Sequence, residues 1–331
     1  MNNHIIKILS GVSVLAVSAC STGSTGGSNT STRVYSSSAG TAAVALDDGK
    51  TLVAQNGNTV AASLNYDTNE TELTDASFKI RKNADGELTY TVNGVERAFT
   101  SAERWIESDG QVYGYQIEAG GVNGHLYTGL YNFKRELDQS LDTTSSDYLQ
   151  VWGYQSNEIN ATAPSQSAQP DVAGYAVVGT ETRSAALSGM PMATYSGRAR
   201  IDTRPNSGFS NNNTDKTRNR ANVSMTADFG AGTMSGLLTD ITMQTGSGTE
   251  APVAGSITMN SSTINGNSYS GMLTADGAFT AASGVTIDPS STYSGSFYGP
   301  AAEQTGGGIA LTGSDASGDF NGIGYFTGDK N

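Results

Sequence analysis

The chain has 331 residues, with 18 lysines and arginines against 31 aspartates and glutamates, for a formal net charge of −13. So acidic a chain repels nucleic acid and anionic lipid headgroups, which argues against both as partners. Its single cysteine excludes an intramolecular disulfide, so stability has to come from burial and strand pairing. Charged residues make up only 15% and glycines number 41, a composition that favours turn-rich β structure over helices.

At the N-terminus, Lys7 precedes an apolar run from Ile8 to Ala19, and small residues lead up to Cys20. A charged start, an apolar centre and small residues before a cut describe a secretory signal peptide over residues 1–19. The run falls short of the ~20 apolar residues that a transmembrane helix needs. The segment Val17-Ser18-Ala19-Cys20 resembles the lipobox of bacterial lipoproteins. That resemblance implies that Cys20 becomes the first mature residue and that its lipid is the link to a membrane. Ser21, standing where an aspartate would signal retention, implies the outer membrane. Residues 20–33 are rich in Ser, Thr and Gly, have no apolar period, and read as a disordered tether.

Residues 34–182 read as a β-rich first domain. Asn83-Ala84-Asp85-Gly86 separates two short strand-like runs. Asn93-Gly94, between Tyr90-Thr91-Val92 and Val95-Glu96-Arg97, is a type I′ hairpin signal, since both residues tolerate positive φ. Ala102 to Glu107 is the one segment that reads as a short helix. Leu126–Phe133, Tyr148–Tyr154 and Gly174–Gly179 read as further strands. Trp105 and Trp152 fall in this half, with Tyr113, Tyr115, Tyr127, Tyr131, Tyr148 and Tyr154 among its tyrosines. They fit half-buried strand faces of a β core better than an exposed aromatic binding face. A polar connection, Asn157 to Gln169, precedes the last of these strands.

Residues 183–331 are expected to form an eight-stranded antiparallel barrel, making the whole chain all-β. The strands are Met192–Ile201, Val223–Phe229, Thr233–Ile241, Val253–Met259, Ser268–Thr274, Thr292–Tyr298, Gly307–Thr312 and Asp319–Thr327. Tyr195-Ser196-Gly197, Tyr269-Ser270-Gly271 and Tyr293-Ser294-Gly295 echo one another. Tyr and Gly two apart share a strand face, and a neighbouring ring can cover the glycine where the strand bends to close a barrel. Eight strands leave an interior that side chains fill or that holds one small ligand.

The run Gly295-Ser296-Phe297-Tyr298-Gly299-Pro300-Ala301-Ala302-Glu303-Gln304-Thr305-Gly306-Gly307 resembles the barrel domain of transferrin-binding protein B. Met190–Gly197 and Thr226–Gly236 support the resemblance. Upstream, Asp147–Tyr154 and Gly174–Thr180 are similar to the strands that precede that barrel. The resemblance implies a single-lobe surface lipoprotein, with a β-rich handle before the barrel. It implies fold-building roles for Phe297, Tyr298, Gly299, Pro300, Glu303, Gly306 and Gly307. Pro300 cannot donate to a ladder and ends a strand, Glu303 and Gln304 suit a solvent turn, and Gly306–Gly308 let the next strand start under curvature.

Catalysis has little to work with. His4 lies in the signal, leaving His125, and there is no Gly-x-Ser-x-Gly elbow, zinc spacing or phosphate loop. No enzyme, cofactor or metal is expected. The cations are more informative: Arg198, Arg200, Arg204, Lys216, Arg218 and Arg220 cluster in and beside a polar segment, Asp202–Arg220, read as a long loop between two strands. Such a loop on an acidic protein would steer an anionic partner. Its bland alternative is a mobile, solvated loop. The functional expectation is a lipid-anchored surface protein that binds a host protein or a solute such as a siderophore or haem. A TonB-dependent receptor is one candidate partner. The alternative is a structural, adhesive or immune-evasion lipoprotein with no small ligand.

Overall fold

Asn93 and Gly94 adopt φ of 50° and 85°, and the hairpin they turn pairs Val92 with Val95. The expected I′ chemistry thus sets one register of a computed structural model that describes residues 51–54, 59–65, 70–82, 87–100, 103–106, 112–121, 124–132, 148–156, 171–206, 216–246 and 248–331. Cys20, the 20–33 tether and the 157–169 connection lie outside the described residues.

The first half contributes strands β1 (Thr51–Val53), β2 (Thr59–Asn65), β3 (Glu70–Asp75), β4 (Phe78–Lys82), β5 (Leu88–Val92), β6 (Val95–Phe99), β7 (Arg104–Ile106), β8 (Val112–Gly121), β9 (Gly124–Asn132), β10 (Leu149–Ser156) and β11 (Asp171–Gly179). They form a four-stranded sheet ordered β1-β4-β5-β6 and a seven-stranded sheet ordered β3-β2-β11-β10-β9-β8-β7. Within the segment Ala102–Glu107, expected as a helix, the described residues 104–106 form a strand. Arg104, Trp105 and Ile106 instead pair with β8, with a register shift after Trp105. Trp and Ile favour a pleated strand, and pairing satisfies backbone groups that a helix this short leaves open. Trp152, Tyr148 and Tyr154 are buried, and Tyr154 stacks on Phe78 with ring centroids 5.4 Å apart. These aromatics build a core, as expected.

A one-turn helix α1 (Ser184–Leu187) leads into β12 (Ala193–Pro205), β13 (Thr217–Asp228), β14 (Thr233–Thr245), β15 (Ala251–Pro252), β16 (Ile257–Asn265) and β17 (Ser268–Ala275). Then follow α2 (Gly277–Ser283), β18 (Thr286–Ile287), β19 (Thr292–Tyr298), β20 (Gln304–Asp315) and β21 (Gly318–Lys330). Leaving aside the two-residue strands β15 and β18, eight antiparallel strands run β13-β12-β21-β20-β19-β17-β16-β14, and the β13–β14 pairing closes the ring. All eight expected strands are present, most with longer ends. The Tyr-x-Gly echo is realised reciprocally. Tyr269 pairs with Gly295 and Gly271 with Tyr293. A Cβ on Gly295 would lie 2.6 Å from the Tyr269 hydroxyl, and one on Gly271 would lie 2.8 Å from the Tyr293 ring. Each ring therefore covers the opposing glycine.

Two hydrophobic clusters result. One fills the barrel with Tyr195, Met225, Tyr269, Tyr293, Phe297 and Phe326 among others. The second lies under the first-half sheets and includes three residues from the outer wall of the barrel: Tyr298, Ile323 and Tyr325. Tyr325 meets Tyr175 of β11 edge-on, with ring centroids at 5.1 Å. This sheet-on-barrel packing is what surrounds the basic segment.

Candidate functional site

Along β12 the odd residues Tyr195, Ala199 and Ile201 point into the barrel, so Arg198, Arg200, Asp202 and Arg204 share its outer face. Across the ladder Arg200 pairs with Arg220 and Asp202 with Arg218, which brings Arg218 and Arg220 to the same face. The expected loop Asp202–Arg220 is therefore corrected. Most of its cations stand on paired strands that extend to Pro205 and resume at Thr217. Alternation hid this extension, because Asp202, Thr203 and Arg204 are polar on both faces of the strand.

Asp202 is the centre of the arrangement. Arg200 donates from Nε to Oδ1 at 3.3 Å and from Nη2 to Oδ2 at 3.2 Å. Lys216 Nζ lies 2.6 Å from Oδ2 and Arg218 Nε lies 3.5 Å from Oδ1. The Tyr175 hydroxyl of β11 donates to Oδ2, and the Arg200 guanidinium sits 5.8 Å from the centre of the Tyr175 ring. Burial alone would raise the Asp202 pKa, but the Arg200 and Lys216 charges outweigh it and hold the carboxyl well below its usual range. Burial and the neighbouring carboxylate push the Tyr175 hydroxyl well above its usual value. Arg200, Lys216 and Arg218 are thus held by a buried carboxylate, rather than free in a solvated loop. Neither Asp202 nor Tyr175 was singled out from sequence as a site residue. The spacing of Arg200 and Asp202, two apart on a strand, was the available signal.

Arg220 stands at the edge of the cluster, paired with Glu250 at 2.8 Å, with both side chains over a third exposed. Arg198 is exposed and, with Arg200 and Arg220, borders a surface cleft of about 310 Å³. Replacing Arg220 by Ser is expected to change stability by no more than about 1 kcal/mol, because exposed pairs are screened. Urea unfolding measures this.

The turn motif is a junction. Phe297 points into the barrel and Tyr298 into the cluster beneath the sheets. Gly299 has φ of 87°, and a Cβ there would come 2.7 Å from Tyr148 Cδ2, so only glycine fits without movement. Thr182 N donates to the Phe297 carbonyl at 2.9 Å, and Gly299 N to the Thr180 carbonyl at 2.8 Å. Pro300 is exposed in the turn, where the Glu303 carboxylate accepts from Ala301 N at 2.9 Å. Gln304 departs from expectation. It is buried, begins β20, and accepts from Tyr148 N at 2.6 Å. Gly306 and Gly307 accordingly lie within β20 rather than at its start, opposite Ser296 and Gly295.

The barrel interior is filled at one end only. Around Phe297, aromatic rings pack at centroid distances of 5.1 Å (Phe229) and 5.3 Å (Tyr269). Towards the other end a cavity of about 480 Å³ opens, with a wall that includes Ile201, Leu238, Ile241, Ile257, Leu311 and Phe279. Asp240, at φ 50°, bulges β14 opposite Arg220–Asn222, so that Leu238 and Ile241 both face inward. Among the described residues no group of three His, Cys, Asp or Glu is placed to hold a metal.

Residues 190–330 match the family described as C-lobe and N-lobe beta barrels of Tf-binding protein B. Comparison with curated proteins gives no match. Similar solved structures include transferrin binding protein B from serogroup B Neisseria meningitidis. It is 16% identical with a TM-score of 0.40, over 82% of this chain and 43% of that one. A double mutant of the same protein from Haemophilus parasuis is 14% identical with a TM-score of 0.37, over 85% and 60%. HpuA from Kingella denitrificans, solved with human haemoglobin, is 13% identical with a TM-score of 0.35, over 88% and 94%. The chain thus spans about half the length of the first two. Its residues 190–330 form a β-barrel of the transferrin-binding protein B family.

Proposed function

We propose that the protein is a lipid-anchored bacterial surface lipoprotein that captures a host protein or a solute, without catalysis. The observation that supports this reading is the match of residues 190–330 to the barrels of a family named for transferrin binding. Iron or nutrient acquisition is the setting we assign to it, with a TonB-dependent receptor as the membrane partner. The contact surface proposed is the outer face of β12 and β13. There Arg198 and Arg220 stand forward of the cations held by Asp202.

The test is capture from host fluid by the immobilised chain carrying Cys20→Ala, alongside purified transferrin and haemoglobin. Retention of one protein, weakened in an Arg198→Ser/Arg220→Ser double variant mainly through slower association, is the expected result. Weakening should fade as salt rises. Retention of nothing from any source overturns the reading.

The anchor is tested separately. Cys20→Ala is expected to abolish palmitate labelling and to move the protein wholly into the soluble fraction. Membrane retention of the variant would contradict the lipid assignment. Protease shaving of intact cells tests outward exposure.

A further inference from the structure

Arg198 and Arg220 differ from the other cations of the outer face in how their charge is answered. Arg198 lies between Asn222 of β13 and Thr327 of β21, both neutral. It is exposed, and no carboxylate among the described residues pairs with it. Arg220 lies directly opposite Arg200, and like charges across a ladder destabilise a sheet. Arg200 is answered by the buried Asp202. Among the described residues, Arg220 is answered only by Glu250, which is itself exposed. Glu250 is carried there by β15, a two-residue strand that pairs Pro252 with Thr242 and Ala251 with Met243. The Thr242 hydroxyl donates to the same carboxylate. In a chain with 31 acidic residues and 18 basic ones, an unmatched arginine beside a loosely matched one is a poor arrangement for stability and a good one for receiving an outside charge.

We propose that the cleft beside Arg198 and Arg220 seats one carboxylate of a protein partner, an aspartate or glutamate side chain, and that Glu250 is the internal competitor it displaces from Arg220. The proposal rests on the reading of the outer β12–β13 face as the contact surface. The cleft, about 310 Å³, has both guanidinium groups in its wall together with Asn222, Thr242 and Tyr325. Guanidinium forks match the planar geometry of a carboxylate. Asp240 and Glu250 line the same cleft, and Asp240 accepts from Asn222 Nδ2 at 2.9 Å. These two negative charges oppose a polyanion, so a single carboxylate suits the site better than a phosphate-rich chain. Displacing Glu250 costs little, because it exchanges one exposed ion pair for another.

The test needs no host protein. The lipid-free Cys20→Ala chain, isotopically labelled on nitrogen, is titrated with a blocked alanine peptide carrying one central glutamate, and with its glutamine counterpart. Arginine Nε–H resonances are followed by NMR. The glutamate peptide is expected to shift Arg198 and Arg220 saturably, and to leave Arg183, exposed outside the cleft, unmoved. The glutamine peptide should shift neither. Glu250→Gln removes the competitor and should tighten binding roughly two- to fivefold, while Arg198→Ser should weaken it by a similar factor. Asp288→Asn makes the same change in net charge at an exposed position outside the cleft, and should leave affinity unchanged. No saturable shift at Arg198 and Arg220, or an equal response to both peptides, overturns the proposal. Weaker binding by Glu250→Gln would overturn the competitor role, as would equal tightening by Asp288→Asn. Capture of a host protein with both arginines unmoved by the peptide would leave the capture reading standing and remove the carboxylate seat. A peptide response with nothing retained from host fluid would do the reverse.

Discussion

Replacing Asp202 by Ala is expected to destabilise the protein by about 3–5 kcal/mol, the range found when one partner is removed from a buried ion pair. The reason is what stays behind. Arg200 is only 5% exposed, packed between the barrel wall and β11, and without Asp202 its desolvated charge loses the carboxylate that accepts from both Nε and Nη2. Tyr175 loses its acceptor at the same time. Lys216 and Arg218 are less buried and can turn to solvent, so Lys216→Ser should cost less than Asp202→Ala. The same site predicts an acid response. The Asp202 pKa is depressed in the folded state, so its contribution is present above the unfolded value, about 3.9, and is lost as pH falls below it. Asp202→Asn, which keeps the shape and cannot ionise, should show a flatter loss of stability below about pH 4 than the native chain. Denaturant unfolding at several pH values measures both effects. Parallel curves for native and Asp202→Asn chains would mean that the carboxylate is not what locks barrel and sheet together.

What could be read in the sequence, and what could not, divides along the range of the interactions. Asn93-Gly94 is a local signal, and its hairpin formed as read. The barrel strands were legible because inward residues such as Val223, Met225 and Ala227 alternate with outward polar ones. The extra length of β12 was not legible, since its outer face carries Arg200 and Asp202. Their burial depends on Tyr175, which comes from another sheet. Helix α2 was missed despite a local signal: Asp276 caps its start and Gly284, at φ 70°, ends it. Seven residues between strands are too few for an apolar period to outweigh the surrounding β pattern. The cavity was beyond sequence reasoning. It arises from a bulge at Asp240 and from a largely aliphatic lining at one end, and both are properties of the assembled ring.

Phe297→Ala is expected to cost about 3–5 kcal/mol, as for other fully buried phenylalanines cut back to alanine. The side chain has no exposure and is surrounded by the rings of Tyr195, Phe229 and Tyr269. Two of these are tied in place: the Tyr195 hydroxyl donates to the Ala302 carbonyl at 2.9 Å, and the Tyr269 hydroxyl meets Thr305 Oγ1 at 2.5 Å. Rings anchored at their far ends cannot collapse into the space that the phenyl leaves, so the void persists and the cost belongs at the upper part of the range. Its neighbour Tyr298 provides the contrast. Tyr298→Phe keeps the ring under the sheets and removes only a hydroxyl 3.4 Å from the Val177 carbonyl, a long contact worth about 0.5 kcal/mol or less. The two substitutions sit one residue apart on opposite faces of β19, so any general effect on the strand is common to both. Urea unfolding should therefore separate them by several kcal/mol. A small cost for Phe297→Ala would mean that the aromatic end relaxes freely, and that the filled and hollow ends of the barrel differ less in rigidity than their packing implies.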